Sequence, residues 1–210
     1  MSPELTRLTL ERARRGDTAA FDELVRAHLP RVYGYCARYL GNSDQASDAT
    51  QETFLRALKA IKRFRGDSAF TTWLLSIATN VCKDEVLKSS RHPIMPADEE
   101  GPAPWELLPA SGDTPEEATL RHERSQVVLE AITRLAPEFR EVLLLRDLEG
   151  LAYEEIAQLL GAKEGTVKSR LNRARLALRE ELTAQRELFG PLVGPSCESV
   201  EPDGRENYEL

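Results

Sequence analysis

The chain is predicted to be all-α: two small helical domains joined by a flexible proline-rich linker. Three observations predict this. Apolar residues recur at spacings of three and four over about 5–90 and again over 117–187, and no stretch alternates with strand period. Between those blocks, Pro93, Pro96, Pro102, Pro104, Pro109 and Pro115 are spaced among acids and glycines, a composition that denies helix hydrogen bonds and buries little. Finally, Leu151 to Arg175 reads as two short amphipathic helices about a tight glycine turn, the layout of a helix-turn-helix. The expected organisation is a first domain over 5–90, a linker over 91–116, a second domain over 117–187 and an acidic, disordered tail over 188–210.

In the first domain four or five helices are expected. Gly16-Asp17 breaks the first, Pro30 sits early in the next, and Gly41-Asn42-Ser43-Asp44 ends that one. Asn42 or Ser43 can cap the following helix, which carries Ala49, Phe54, Leu55, Leu58 and Ile61. Beyond a turn at Gly66-Asp67-Ser68, another helix carries Phe70, Trp73, Leu74, Ile77, Ala78 and Val81. In the linker, Trp105, Leu107 and Leu108 form an apolar island, suited to a local tuck or to docking in a partner's groove. Helices resume near Pro115-Glu116-Glu117, with Leu120, Val127, Val128, Ile132, Leu135, Val142, Leu143 and Leu148 as the supporting bundle.

The helix-turn-helix can be read residue by residue. Ile156, Ala157 and Leu160 form the apolar stripe of its first helix, while Glu154, Glu155 and Gln158 face water. Gly161 sits where the chain must turn, because glycine accepts a positive φ at little steric cost. In the second helix Val167, Leu171, Ala174 and Leu178 lie within about 60° of one another at roughly 100° per residue. The opposite face presents Gly165, Ser169, Asn172, Arg173 and Leu176, flanked by Thr166, Lys168 and Arg170. Arg and Asn bind guanine and adenine edges bidentately, whereas Lys and Ser more often position a helix on phosphate. An ordinary hairpin with a solvated basic face is the plainer alternative; the small Ala157, the turn glycine and the in-register valine weigh against it.

Composition narrows the class. Hydrophobic residues at 41% with 30% charged residues suit a soluble helical protein, and no apolar run approaches the roughly 20 residues that span a bilayer. The N-terminus interleaves Glu4, Arg7, Glu11 and Arg12 and so lacks a signal-peptide core, which predicts a cytoplasmic protein without membrane insertion. Cys36, Cys82 and Cys197 are few and far apart, so no disulfide scaffold or metal site is expected; the first two read as small core residues and the third as a free tail thiol. His28, His92 and His122 are scattered, and no nucleophile–base pair or phosphate-cradling loop occurs, so neither an enzyme nor a cofactor is expected.

The net charge of −7 is unusual for a DNA-binding chain, but the charge is segregated. Lys163, Lys168, Arg170, Arg173, Arg175 and Arg179 face Glu164 alone in sequence, and Arg56, Lys59, Lys62, Arg63 and Arg65 form a second basic run. Acids collect in the linker and tail. Clustered cations supply non-specific DNA affinity through counterion release, so a chain with this balance should hold duplex only weakly by itself and act within an assembly.

The segment Asp48 to Trp73, taken together with the C-terminal hairpin, resembles the extracytoplasmic-function sigma factors of bacterial RNA polymerase. The resemblance covers about 20–90 (sigma region 2) and 120–185 (sigma region 4). It implies a promoter-specificity subunit that binds core polymerase and reads the −35 duplex and the melted −10 strand. Asp48, Gln51, Glu52, Phe54, Leu55 and Arg56 match the helix that docks on the clamp helices of the largest polymerase subunit, with one of Phe54 and Leu55 expected in the core. Phe64 to Phe70 matches the loop that opens the −10 element. This assigns Arg65, Ser68, Ala69, Phe70, Trp73, Asn80 and Lys83 to that strand, with Asn80 contacting a base, Trp73 an anchor in the core, and Lys88 and Arg91 as further phosphate contacts. At −35 the resemblance implies Thr166, Lys168, Ser169, Arg170, Asn172, Arg173 and Arg175, with Arg170 and Arg175 on phosphate. Core polymerase, promoter DNA and an anti-sigma factor are the implied partners. The proline-rich linker and the tail beyond Phe189 depart from compact members. Two rivals remain: an operator-binding dimer with an N-terminal sensor domain, and a polymerase adaptor that does not touch DNA.

Overall fold

The computed structural model describes residues 3–66, 68–89 and 115–189, with side chains over 7–66, 68–88 and 125–184; the expected linker, Trp105 with its apolar neighbours, Arg91, Cys197 and nearly all of the tail lie outside these. The described residues are helical, with no strand among them. In chain order they form α1 (Pro3–Arg14), α2 (Thr18–Leu40), α3 (Ser43–Ala60), a 3-10 turn (Ile61–Arg63) and α4 (Phe70–Ser89), then α5 (Pro115–Arg134), α6 (Pro137–Leu143), a π-helical turn (Leu144–Leu148), α7 (Tyr153–Leu160) and α8 (Glu164–Phe189).

Helix ends follow side-chain chemistry. Asp17 Oδ1 accepts from Ala20 N at 3.0 Å to start α2, and Asn42 Oδ1 accepts from Gln45 N at 2.9 Å to start α3. Gly41, at φ 69°, closes α2 by donating its N–H to Ala37 O. Pro30 departs from expectation: it lies inside α2 rather than near a helix start. The helix continues through it because Phe21, Leu24, Val32, Tyr35 and Tyr39 form one buried stripe on both sides. At about 1.5–3 kcal/mol per buried side chain, that stripe outweighs the ~3 kcal/mol an interior proline costs.

The first core is built where α2, α3 and α4 meet. Small residues, Ala46, Ala49, Thr53 and Ala57, let α3 approach closely, and its buried threonine hydroxyls are satisfied by carbonyls one turn back. Tyr35 Oη and Thr79 Oγ1 are 2.7 Å apart between α2 and α4, both buried. Cys36 and Cys82 are fully buried neighbours here, as small core residues should be; their mutual hydrogen bond and burial push the Cys82 thiol far up, so it stays protonated. In the second domain Leu135, Val142, Leu144, Leu145, Ile156 and Leu171 form the core. Val128 and Leu148, expected in this bundle, are instead 40% and 49% exposed. The π-helical turn explains Leu148: one extra residue per turn keeps Leu144 and Leu145 inside and rotates Leu148 outward.

Two charged residues that would ordinarily face water, Arg140 and Glu141 on α6, are buried where the domains meet. The Arg140 guanidinium donates to Tyr39 O at 2.6 Å, to Leu135 O at 3.1 Å and to Thr133 O, so it caps the C-terminal carbonyls of α2 and α5 together. It also lies over the Tyr39 ring, 5.3 Å from the centroid. Glu141 meets Lys83 Nζ of α4 at 2.9 Å and Arg170 Nη1 of α8 at 3.8 Å. At the rim, Arg31 donates to Glu149 at 2.6 Å.

Gly41 belongs to this joint twice over, because a Cβ there would stand 2.5 Å from Thr133 Cγ2. Gly41→Ala should therefore cost about 1–2 kcal/mol for its positive φ, plus a clash. Adding Thr133→Ser, which removes only Cγ2, should recover the clash and leave the backbone cost. Urea unfolding reads both; full recovery in the double variant would show that φ is not the constraint.

His28 packs edge-on against Phe70 at 5.2 Å, and burial, with a smaller contribution from Arg31, holds its imidazole below the ordinary 6.5. The unfolded chain then binds more protons just below that value, so stability is full above pH 6.5 and declines as pH falls toward the folded value. The stability difference between the protein and His28→Leu should rise from pH 5 to 7 and then level off. A pH-independent difference would contradict this.

Candidate nucleic-acid interface

The recognition hairpin forms as the spacing predicts. Ile156 and Ala157 are buried and Leu160 is half-buried, while Glu154 and Gln158 are exposed. Glu155 Oε2 accepts from Ala152 N at 2.8 Å, closing the first turn of α7. Gly161 adopts φ 62°, and Ala162 N reaches back to Ala157 O at 2.9 Å. In α8, Val167, Leu171 and Ala174 are buried and Leu178 half-buried against the bundle.

The outward face of α8 is more selective than its sequence suggests. Lys168 is held by Glu164 at 2.7 Å, which raises its pKa, and it sits over the Tyr153 ring. Arg175 is held by Asp147 at 2.6 Å, again with a raised pKa, and Arg170 by Glu141. Ser169 donates to Thr166 O. That leaves Asn172 and Arg173 exposed, with no side-chain partner among the described residues. These are the two side chains suited to bidentate base contact. The sequence window showed Glu164 as the only acid among six cations; Glu141 and Asp147 arrive from α6 and the π-helical turn, across 28 residues or more.

In the first domain, α3 divides as expected between core and surface. Phe54 is 8% exposed and belongs to the bundle, so it is not available as a docking residue, whereas Leu55 is 52% exposed. Asp48, Gln51, Leu55 and Leu58 share one exposed face at helical spacing, and Leu58, at 45% exposure, is an apolar member that the sequence assignment of this face did not include. Glu52 and Arg56 pair at 2.7 Å beside that stripe, and Arg56 also reaches Asp84 on α4 at 3.2 Å.

At the loop before α4, Phe64, Phe70 and Trp73 form an aromatic cluster with centroids 5.0–5.8 Å apart. Phe64 and Phe70 are buried and Trp73 half-buried, consistent with an anchoring role; Arg65 and Ala69 are exposed beside them, Ser68 half-buried. Asn80 is exposed on α4, ten residues from Phe70, or about 15 Å along the helix at 1.5 Å per residue. Lys83 lies a turn further on, tied to Glu141, and Lys88 pairs with Glu85 at 3.1 Å.

Sequence reasoning missed Arg140 and Glu141. Their signal was faint but present: two charges abutting the apolar run Val142 to Leu145, in a helix too short to give them an outer face of their own.

This arrangement matches known families over both domains. Residues 24–92 match Sigma-70 region 2 and residues 125–178 match Sigma-70, region 4. The RNA polymerase sigma-H factor of Pseudomonas aeruginosa is 36% identical over 187 residues, covering 87% of this chain and 96% of that protein. The ECF RNA polymerase sigma-E factor of Escherichia coli K12 is 38% identical over 184 residues, covering 85% and 95%. Among solved structures, the sigma factor RpoE in complex with the anti-sigma factor NepR from Bartonella quintana superposes with a TM-score of 0.60 at 24% identity, over 79% of this chain and 98% of that one. CnrH in complex with the cytosolic domain of CnrY gives 0.58 at 25% identity, over 86% and 98%. With both sigma regions matched in order, and with relatives alike over nearly their whole length, the chain belongs to the extracytoplasmic-function sigma factors, the promoter-specificity subunits that bind core RNA polymerase and direct transcription initiation.

Proposed function

We propose a division of labour among the residues. Asn172 and Arg173 read base edges at −35, with Ser169 and Thr166 beside them and Lys168, Arg170 and Arg175 on phosphate. Arg65, Ser68, Ala69, Phe70 and Trp73 form the −10 opening site, and Asn80 and Lys83 hold the same strand further along α4. The stripe Asp48, Gln51, Leu55 and Leu58, rimmed by Glu52 and Arg56, docks on the clamp helices of polymerase, its leucines supplying the apolar anchor within a polar rim. The chain contributes no chemistry of its own and acts in the cytoplasm, where polymerase and chromosome are. An anti-sigma factor is a further partner, as in the Bartonella quintana complex. The observation that carries the reading is the unpartnered, exposed Asn172–Arg173 pair on the outward face of α8.

Lys83 and Arg170 grip the two oxygens of one carboxylate and so lie less than ~10 Å apart. The −10 and −35 elements are about 25 base pairs apart, or roughly 85 Å at 3.4 Å per base pair. Both cations cannot serve their DNA sites in this closed arrangement, so promoter binding requires the domains to separate. The exposed pairs Lys168–Glu164 and Arg175–Asp147 are worth about 0–1 kcal/mol and exchange readily for phosphate. Glu141 differs, since removing its partners is tolerable only once separation lets water reach it.

Run-off transcription with core polymerase over a genomic fragment library tests the reading. Arg173→Ala should weaken −35 binding by about 1–3 kcal/mol, roughly 5- to 150-fold, without changing core affinity. Leu55→Asp should do the reverse, abolishing core binding and leaving the isolated fold intact. Unimpaired promoter-directed transcription by Arg173→Ala would favour a polymerase adaptor, and tight specific binding of operator DNA by the lone protein would favour a conventional regulator.

A further inference from the structure

At the edge of the matched Sigma-70 region 2 stretch, the C-terminal end of α1, which lies before it, and the 3-10 turn, which lies within it, form a polar cleft of about 430 Å³ lined by Glu11, Arg14, Arg15 and Lys62. Three cations against one carboxylate leave it with a formal charge of +2. Arg12, on the same helix, is spent structurally, at 2.8 Å from the Asp17 carboxylate and 3.8 Å from Glu23. Arg14, Arg15, Lys62 and the adjoining Arg63 and Arg65 are exposed and have no ion pair or side-chain hydrogen bond among the described residues. Most other DNA-facing cations of the chain are paired internally, so this density of unspent charge is local. A helix C-terminus repels anions weakly, so Arg14 and Arg15 partly offset that dipole, but Lys62 comes from a different element and needs another reason to be there.

Position supplies the reason. Lys62 stands two residues before Phe64, within about 7 Å of chain, and Phe64 is packed on Phe70 and Trp73 of the opening loop. We infer that the α1 cleft is a backbone-phosphate site for the melted DNA strand, gripping the phosphodiesters next to the bases held at the Phe64–Phe70 loop. The inference rests on the reading of that loop as the −10 site. It extends the strand's track from Arg65 and Arg63 across Lys62 to Arg14 and Arg15. The contact is sequence-independent, because arginine and lysine on phosphate fix position and carry no base information.

The test uses holoenzyme and a forked duplex bearing a single-stranded tail, copied from a promoter that the same holoenzyme transcribes. The triple variant Arg14→Gln, Arg15→Gln, Lys62→Gln should bind the tailed fork about 10-fold more weakly. Its log K against log salt slope should be smaller by about 2, at roughly 0.7 per lost single-strand phosphate contact. Core affinity and binding to the untailed duplex should not change. Neutralising tail linkages one at a time as methylphosphonates should locate one to three adjacent linkages that matter to the protein and no longer matter to the variant. An unchanged slope, or methylphosphonate sensitivity that is the same in both, overturns the inference. So does a loss of core affinity, which would make the cleft a polymerase contact. Ala69→Leu, which crowds the exposed loop itself and is assayed alongside, separates the two failures: if it weakens fork binding while the triple variant does not, the loop reading stands and the cleft fails; if neither does, the loop reading fails too.

Discussion

The buried pair Arg140–Glu141 holds the arrangement of the chain together. A guanidinium cannot be removed from water unless its donors are satisfied, and Arg140 meets that demand with carbonyls at the ends of α2 and α5, one from each domain. The adjacent Glu141 must likewise be compensated, and among the described residues Lys83 and Arg170 are the cations placed to do it. Because these side chains and their partners come from α2, α4, α5, α6 and α8, satisfying the two charges dictates how region 2 and region 4 meet. Gly41 is part of the same constraint, since its missing side chain leaves the space that Thr133 fills.

The same pair accounts for the charge balance. A net charge of −7 is compatible with promoter recognition because the acids that oppose the recognition helix are placed, not diffuse. Exposed partners such as Glu164 and Asp147 keep Lys168 and Arg175 oriented at little energetic cost, while the buried Glu141 holds one cation from each DNA-binding domain. Among the described residues, the exposed cations without an ion pair include Arg173 on α8 and the group Arg14, Arg15, Lys62, Arg63 and Arg65 beside the loop before α4.

Much of this was legible in the sequence. The helical class, the cap at Asn42, the Gly161 turn and the buried face Val167–Leu171–Ala174 follow from period and local backbone chemistry, which a linear window contains. What escaped it depends on contacts between distant segments. Pro30 inside α2 survives through packing on α3 and α4, and Leu148 turns outward because of a π-helical register shift. Leu58 stays at the surface because α3 has only one face in the bundle. The internal pairing of Arg170, Arg175 and Lys83 needed acids 28 or more residues away, which no periodicity reveals. The residues assigned to docking and to DNA divided similarly: Leu55 and Arg173 are exposed where spacing put them, whereas Phe54 is core.

The central claim is that the chain is closed when free and must open to read a promoter. It is tested most directly by the distance between the domains in solution. Spin labels at Asp22→Cys and Glu180→Cys, both exposed positions away from the proposed contacts, with Cys197→Ser to remove the tail thiol, allow that distance to be measured by pulsed electron paramagnetic resonance. A single short distance in the free chain, lengthening by tens of ångströms in holoenzyme on promoter DNA, is the predicted result. A distribution that is already long and broad in the free chain, or one that stays short in the promoter complex, would contradict the account.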